Sequence, residues 1–191
     1  MEKLGNFQMY KKIVTIVLSL TITSVLSAQE SPQKKVTIGT DLAPLAFTLL
    51  NENITAGVGY YGLIHNNGKN EIGVGAFAFV DQENDISGIG FAPGYRFYHS
   101  GTGKGIFYEA SLGFAFFNWD YTKLSETVTG TIFWPTVNLG YKWSWDFGLT
   151  LDPYIGINYG IGKIEASDGT ASEAVEGGIG PSFGLGIGYT F

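Results

Sequence analysis

The C-terminal segment constrains the fold more than any other part of the chain. Large apolar residues alternate there with Gly, Ser or Thr up to the last residue, and the large ones are Phe183, Leu185, Ile187, Tyr189 and Phe191. Successive side chains of a β-strand point to opposite faces. The alternation therefore predicts a strand with one bulky face and one nearly bare face, and it does not fit the 3.6-residue period of a helix.

The same alternation recurs upstream and predicts an antiparallel all-β fold of eight strands, with turn-rich segments between them. The predicted strands cover residues 36–41, 54–64, 71–80, 88–98, 106–117, 133–144, 149–162 and 182–191. Residues 42–50 extend the first strand or form a loop. The connections alternate between short turns (65–70, 99–105, 144–148) and loops that are mostly longer (81–85, 120–130, 165–178). This order is typical of an up-and-down barrel.

Side-chain volume decides which face of such a barrel lies outside. The interior of an eight-stranded barrel is only just wide enough for side chains, so the bulky set must point outward and the Gly, Ser and Thr set inward. In the second strand this places Ile54, Val58, Tyr60 and Ile64 outside. A bulky, uncharged outer face suits lipid better than water, and a closed barrel leaves no strand edge unpaired in a bilayer. A soluble lipid-binding barrel with the bulky set inside is the alternative.

Composition supports the lipid-facing interpretation. Only 15% of residues are charged, whereas a water-soluble surface normally carries about 25–35%. The net charge of −6 argues against a nucleic-acid partner, which would favour a basic patch. Pro93, Pro135 and Pro153 fall on the outward parity, and we expect missing ladder hydrogen bonds there because proline has no N–H.

The N-terminus has the pattern of a cleavable signal peptide. Lys11 and Lys12 precede a short apolar stretch, and small residues lead to Ala28. The apolar stretch is shorter than the ~20 residues of a membrane-spanning helix. We therefore expect residues 1–28 to be removed and residues 29–191 to form the barrel. The chain has no cysteine, which leaves no disulfide and no thiol chemistry.

Four charged residues fall on the inward parity at a similar depth. Arg96 and Glu109 flank one short turn, and Lys142 and Asp152 flank the next. Buried charges must pair to offset their desolvation. The sequence therefore predicts an interior charge layer that plugs the barrel, with Glu71 and Lys35 as further members. An ion gate made by the same residues is the sharper alternative.

The signal peptide, the alternating strands and the final strand ending in Phe191 together resemble small bacterial outer-membrane β-barrels of the OmpA-transmembrane-domain or OmpX kind. The Gly-rich strands, the Ala28–Gln29 junction and the short turns also resemble small barrels of Bacteroidetes-type bacteria. The resemblance implies an eight-stranded transmembrane barrel in the outer membrane, with lipid around it and no cofactor or metal. It also implies a monomer. The terminal aromatic strand, Phe183 to Phe191, would be the signal read by the outer-membrane insertion machinery. The long acidic loops would face outward and interact with an unidentified surface ligand.

Enzymatic alternatives have weak support in the sequence. A lipid A-modifying enzyme needs a nucleophile with a base, but His65 and His99 fall in the turns opposite the long loops. The loop serines Ser125, Ser167 and Ser172 have no nearby histidine in the sequence. Residues 101–105 lack the full P-loop spacing, and residues 165–176 lack the spacing of a calcium loop. We therefore expect a non-enzymatic barrel, with a lipid-modifying enzyme or a small-solute or ion pore as alternatives.

Overall fold

A computed structural model describes residues 35–50, 53–65, 68–121, 126–166 and 172–191. It is a closed antiparallel barrel in which every strand pairs with its sequence neighbours and the first strand pairs with the last. The strands are β1 (Lys35–Asp41), β2 (Ile54–His65), β3 (Asn70–Asp81), β4 (Ile86–Tyr98), β5 (Gly105–Tyr121), β6 (Glu126–Ser144), β7 (Leu149–Ala166) and β8 (Ser172–Thr190), and the helix α1 (Leu42–Leu50) follows β1. The predicted eight-stranded all-β fold is confirmed. In the described ranges no helix is long and apolar enough to cross a bilayer.

The strands after β4 extend further into the loops than the sequence predicts. β5 and β6 pair up to Tyr121 and Glu126, and β7 pairs with β8 up to Glu165 and Ser172. The prediction placed these residues in loops because their bulky–small alternation is weak. Continuous backbone pairing along two adjacent strands is sufficient to keep them extended. The turns at the opposite end are short, as predicted, and glycines at 68, 101, 103, 105 and 148 adopt positive φ there.

Each of the three strand prolines interrupts the pairing with one neighbouring strand and leaves the pairing with the other neighbour intact. Pro93 keeps its place opposite Val74 on β3, while the β4–β5 pairing skips from Phe91 to Gly94. The β6–β7 pairing is interrupted both at Pro135 and at Pro153, although each proline stays in register with its other neighbour. The missing N–H faces only one neighbouring strand, so the local register survives.

The bulky set points outward on β3 to β8, as the volume argument predicts. Ile72, Phe91, Leu112, Val137 and Ile155 all leave a large part of their side chains exposed. The prediction is wrong for β2. There Tyr60 bonds the interior carboxylate of Glu71, and Ile64, opposite Glu71, is buried.

The reason for this error lies in the small bulk difference between the two faces of β2. Tyr61 and Leu63 stand on the parity assigned to small residues, so side-chain volume does not separate the faces. Pairing with β3 decides instead, because residues opposite each other share a face. Ala56 and Val58 lie opposite Phe79 and Phe77, which point inward. In the half of β2 that is far from the short turn at 65–70, the outer face consequently carries Thr55, Gly57 and Gly59.

Residues 42–50 form a helix, which neither expected alternative included. Asp41 ends β1 and caps the helix, since its Oδ1 accepts the Ala43 N–H at 2.8 Å. Thr48 of α1 accepts the Ala56 N–H at 2.8 Å and donates to the Ala56 carbonyl at 3.2 Å. After Asp41, α1 thus takes the place of β1 beside β2. Its Thr48 supplies hydrogen bonds to backbone groups at an edge of β2 that would otherwise lack a partner.

Inward aromatic rings pack on inward glycines of neighbouring strands. A Cβ at Gly90 would overlap the ring of Phe77, and one at Gly113 would overlap the indole of Trp134. The same relation joins Gly88 to Phe79, Gly130 to Phe117, Gly140 to Phe107, and Gly184 to Tyr154. The glycines therefore provide the space in which a narrow barrel holds large rings.

Candidate functional site

Arg96 is the centre of the interior charge layer. Its Nε and Nη2 lie 2.8 and 2.7 Å from Glu109 Oε2, and its Nη1 lies 2.8 Å from Asp152 Oδ2. The guanidinium also stacks over the ring of Phe107, 4.0 Å from the centroid. β4 and β5 bring Arg96 and Glu109 directly opposite each other, whereas Asp152 reaches Arg96 from β7. A planar fork of donors suits two carboxylates better than a lysine would.

Lys142 forms a second ion pair below this group. Its Nζ lies 3.3 Å from Glu71 Oε2 and 3.0 Å from the Thr37 hydroxyl, and both charged side chains are fully buried. Glu71 also accepts hydrogen bonds from the hydroxyls of Tyr60 and Tyr98. Hydrogen bonds to both carboxylate oxygens offset part of the desolvation of this buried charge.

The structure thus brings Arg96, Glu109 and Asp152 together and places Lys142 beside Glu71. Lys35, the other suggested member, is exposed at the start of β1. Lys35 is in register with Ile64, which stands opposite Glu71, but its exposed side chain takes no part in the buried cluster. The tyrosine partners of Glu71 were missed, although their inward parity beside a buried carboxylate is a usable signal.

The end of the barrel with the short turns is closed by side chains and a turn. Tyr98 and Phe107 are fully buried, and Ile64 is almost so. The turn after β4 folds against the turn after β2, where the Gly103 N–H donates to the Gly68 carbonyl at 2.5 Å. These contacts fill the cross-section beneath the charge layer with protein.

A cavity of about 230 Å³ lies inside the barrel above the charge layer. Arg96, Glu109 and Asp152 line its lower part, and Trp134, packed against Phe77 with 5.7 Å between ring centroids, lies on its wall. Asp41 and Tyr154 line another side and are hydrogen-bonded to each other at 2.5 Å. Charged and polar side chains thus line part of the cavity wall, while the outer face of the barrel is apolar.

The residues considered for catalysis and ligand binding are dispersed. His65 ends β2 and packs against Tyr95 at the turn end, and His99 follows β4 at the same end. Ser172 starts β8 at the opposite end, whereas Ser125 and Ser167 lie outside the described residues. In the described ranges no group of three or more His, Cys, Asp or Glu is arranged to hold a metal ion. Residues 101–105 form a glycine turn that leads into β5.

The terminal strand lies at the seam of the barrel. β8 pairs with β7 along most of its length and with β1 from Gly186 to Thr190. Phe183, Leu185, Tyr189 and Phe191 expose their side chains on the outer face, and Ile187 stands on the same parity. Gly39 of β1 approaches Gly188 so closely that a Cβ on Gly39 would lie 2.6 Å from the Ile187 carbonyl oxygen. The predicted signal peptide, residues 1–28, lies outside the described residues.

Comparison of the chain with protein-family models, curated proteins and solved structures finds no match.

Proposed function

We propose that this chain is an outer-membrane β-barrel protein without enzymatic activity, structural or surface-interacting through its acidic loops. The observation that carries the proposal is the apolar belt on the outside of β3 to β8. An exposed apolar belt of this kind is unfavourable in water and stable against lipid. Export by a signal peptide and assembly through the terminal strand, as the resemblance implies, belong to the same proposal.

The height of the belt supports a bilayer. On β7 the outward residues are apolar from Leu151 to Ile161 and charged at Lys163 and Glu165. Ten residue steps at about 3.3 Å give roughly 33 Å along the strand. At a strand tilt of about 40° this corresponds to roughly 25 Å of height, the height of the apolar band in outer-membrane barrels.

Aromatic residues mark one border of the belt. Tyr95, Tyr108, Tyr141, Trp143 and Tyr189 lie near the short-turn end, and each leaves nearly half of its side chain exposed. Amphipathic rings favour the membrane–water interface. The short turns would then be periplasmic and the longer connections extracellular.

The extracellular connections would present carboxylates to the surroundings. Glu83 and Asp85 are exposed between β3 and β4, and Glu173 and Glu176 are exposed at the start of β8. A cationic surface partner would suit them. Asp168, between β7 and β8, and Asp120, near the end of β5, add to this charge in the sequence.

The filled interior favours a structural barrel over a pore. A conducting path would have to pass both the Arg96 cluster and the buried pair of Tyr98 and Phe107. The lipid-modifying enzyme is less favoured because both histidines lie at the end that would be periplasmic, far from an outer-leaflet substrate.

Two single-tryptophan variants test the lipid-facing assignment. One variant retains only Trp143 on the outer face, and the other retains only Trp134 in the interior, the remaining tryptophans being changed to Phe. In vesicles containing brominated lipids we expect strong fluorescence quenching of Trp143 and weak quenching of Trp134. Equal quenching, or a chain of residues 29–191 that stays monodisperse in water without detergent, would contradict the proposal.

A further inference from the structure

The outer face of the barrel carries an apolar groove that crosses several strands. Its volume is about 820 Å³. The bulky side chains around it are all exposed, and they are Tyr95, Leu112, Val137, Ile157, Tyr159 and Ile179. No charged side chain of the described residues lines the groove. Ser111 and Thr136 line both this groove and the interior cavity, so the two lie on opposite sides of the same part of the barrel wall.

Small and compact residues form the floor of the groove. Ala110 is in register with Tyr95 on β4 and with Val137 on β6, so a single methyl group lies between two larger side chains. Pro93 and Pro135 also line the groove, at the points where the β4–β5 and β6–β7 pairings are interrupted. Opposite residues of neighbouring strands have Cβ atoms only about 5 Å apart. These short side chains therefore leave a continuous depression between longer ones.

We propose that this groove binds one acyl chain of a membrane lipid. The inference rests on the proposed function, because it takes the apolar belt to lie in a bilayer. Ile157 and Tyr159 belong to the apolar outer stretch of β7 between Leu151 and Ile161, so the groove would lie at the depth of acyl chains rather than of headgroups. A hydrocarbon chain needs no hydrogen-bond partner and therefore suits a groove without charged side chains.

The shape of the groove distinguishes it from the rest of the belt. Its volume lies within the range of about 300–1,000 Å³ that is usual for clefts that hold small molecules. A chain in the groove contacts side chains on two sides as well as the floor, and dispersion attraction grows with the number of neighbouring atoms. The bound chain should therefore exchange with bulk lipid more slowly than a chain against β3, where Ile72, Val74 and Ala76 stand outside the groove.

Photolabelling of the full chain, reconstituted into phosphatidylcholine vesicles, tests the inference. A small fraction of the phospholipid carries a diazirine at the middle of one acyl chain, and mass spectrometry maps the labelled residues after irradiation. We expect severalfold more label at Val137 and Ile157 than at Ile72 and Val74. Equal labelling at both places would overturn the groove inference and leave the lipid-facing belt in place. Absence of label from the whole outer face would contradict the proposed function as well.

Variants at the floor of the groove test the position of the chain. Ala110→Phe fills the floor with a ring, and we expect the label at Val137 and Ile157 to fall to the level measured on β3. Ala76→Phe adds the same ring to an exposed alanine outside the groove and should leave the label at Val137 and Ile157 unchanged. If Ala110→Phe does not fold, Ala110→Leu serves in its place. Unchanged groove labelling in a folded Ala110 variant would contradict the proposal. Chemical cross-linking of two barrels through an unlabelled groove would overturn it in favour of a second copy of the chain.

Discussion

Replacing Arg96 with Met is the most direct test of the interior charge layer. Methionine keeps an unbranched side chain beside Phe107 but removes the charge and every donor. Glu109 then loses the partner of its Oε2, and Asp152 loses the partner of its Oδ2. Glu109 retains the hydrogen bond from Asn138, whereas Asp152 retains no partner that the structure describes. Arg96→Met therefore leaves two buried carboxylates that are poorly compensated.

The expected cost of Arg96→Met is about 3–5 kcal/mol of unfolding free energy, the range for removing one partner of a buried ion pair. Because two carboxylates lose their ion-pair partner, the loss should lie at the upper end of this range. The side chains of Glu109 and Asp152 retain 16% and 11% exposure, which reduces the loss.

Urea unfolding of the refolded barrel, followed by tryptophan fluorescence and by gel mobility without heating, measures this loss. Lys163→Met is the matched control because its ion pair with Glu165 is exposed, so its cost should be about 0–1 kcal/mol. The triple variant Arg96→Met, Glu109→Gln, Asp152→Asn removes all three charges and should recover most of the stability. If Arg96→Met costs no more than Lys163→Met, the reasoning about buried charge is refuted.

Three further predictions concern the packing, the outer face and assembly. Gly113→Val should cost about 1–3 kcal/mol in urea unfolding because its side chain would overlap the facing indole; Gly57→Ala, with nothing within 4 Å of its Cβ, should be near neutral, and equal costs would contradict the packing argument. Ile157→Arg, in the middle of the outer apolar stretch of β7, should cost about 2–4 kcal/mol in bilayers, whereas Glu173→Arg in the exposed start of β8 should cost little; a harmless Ile157→Arg would argue against lipid contact. Phe191→Ser should lower the yield of folded barrel in the outer membrane more than it lowers the unfolding free energy of the purified protein, and an unchanged yield would remove Phe191 from the assembly signal.

Pairing across a short turn explains why much of the charge layer could be predicted from the sequence. Arg96 and Glu109 stand at nearly equal distances from the turn that joins β4 to β5, so antiparallel pairing places them opposite each other. The contact between Arg96 and Asp152 crosses the barrel and depends on closure and strand tilt, which alternation does not encode. The sequence therefore predicted a common depth for these residues but not which carboxylate each cation contacts.

The sequence-based prediction was wrong for residues 42–50 and for the faces of β2. Both errors occur where the two faces of a segment have side chains of similar bulk. The segment from Leu42 to Leu50 is apolar except for Thr48 and carries no period of two. Its helical form depends on the cap from Asp41 and on the hydrogen bonds of Thr48 to β2. Tyr60 and Tyr61 place one large ring on each face of β2. There only pairing with β3, and the buried Glu71 opposite Ile64, decides which ring turns inward.

The abundance of glycine is linked to the abundance of aromatic residues. In the proposed membrane setting, the outer face needs bulky apolar side chains, and these include Phe91, Tyr108 and Tyr159. The interior also holds large rings, and each of the rings at Phe77 and Trp134 fits only because the facing residue on the next strand has no Cβ. A barrel of eight strands has no spare width, so adding a ring on one strand requires a glycine on its neighbour. Changing Gly113 and Trp134 together, to Val and Gly, should therefore cost less than the sum of the two single changes. Additive costs in urea unfolding would show that the two residues pack independently.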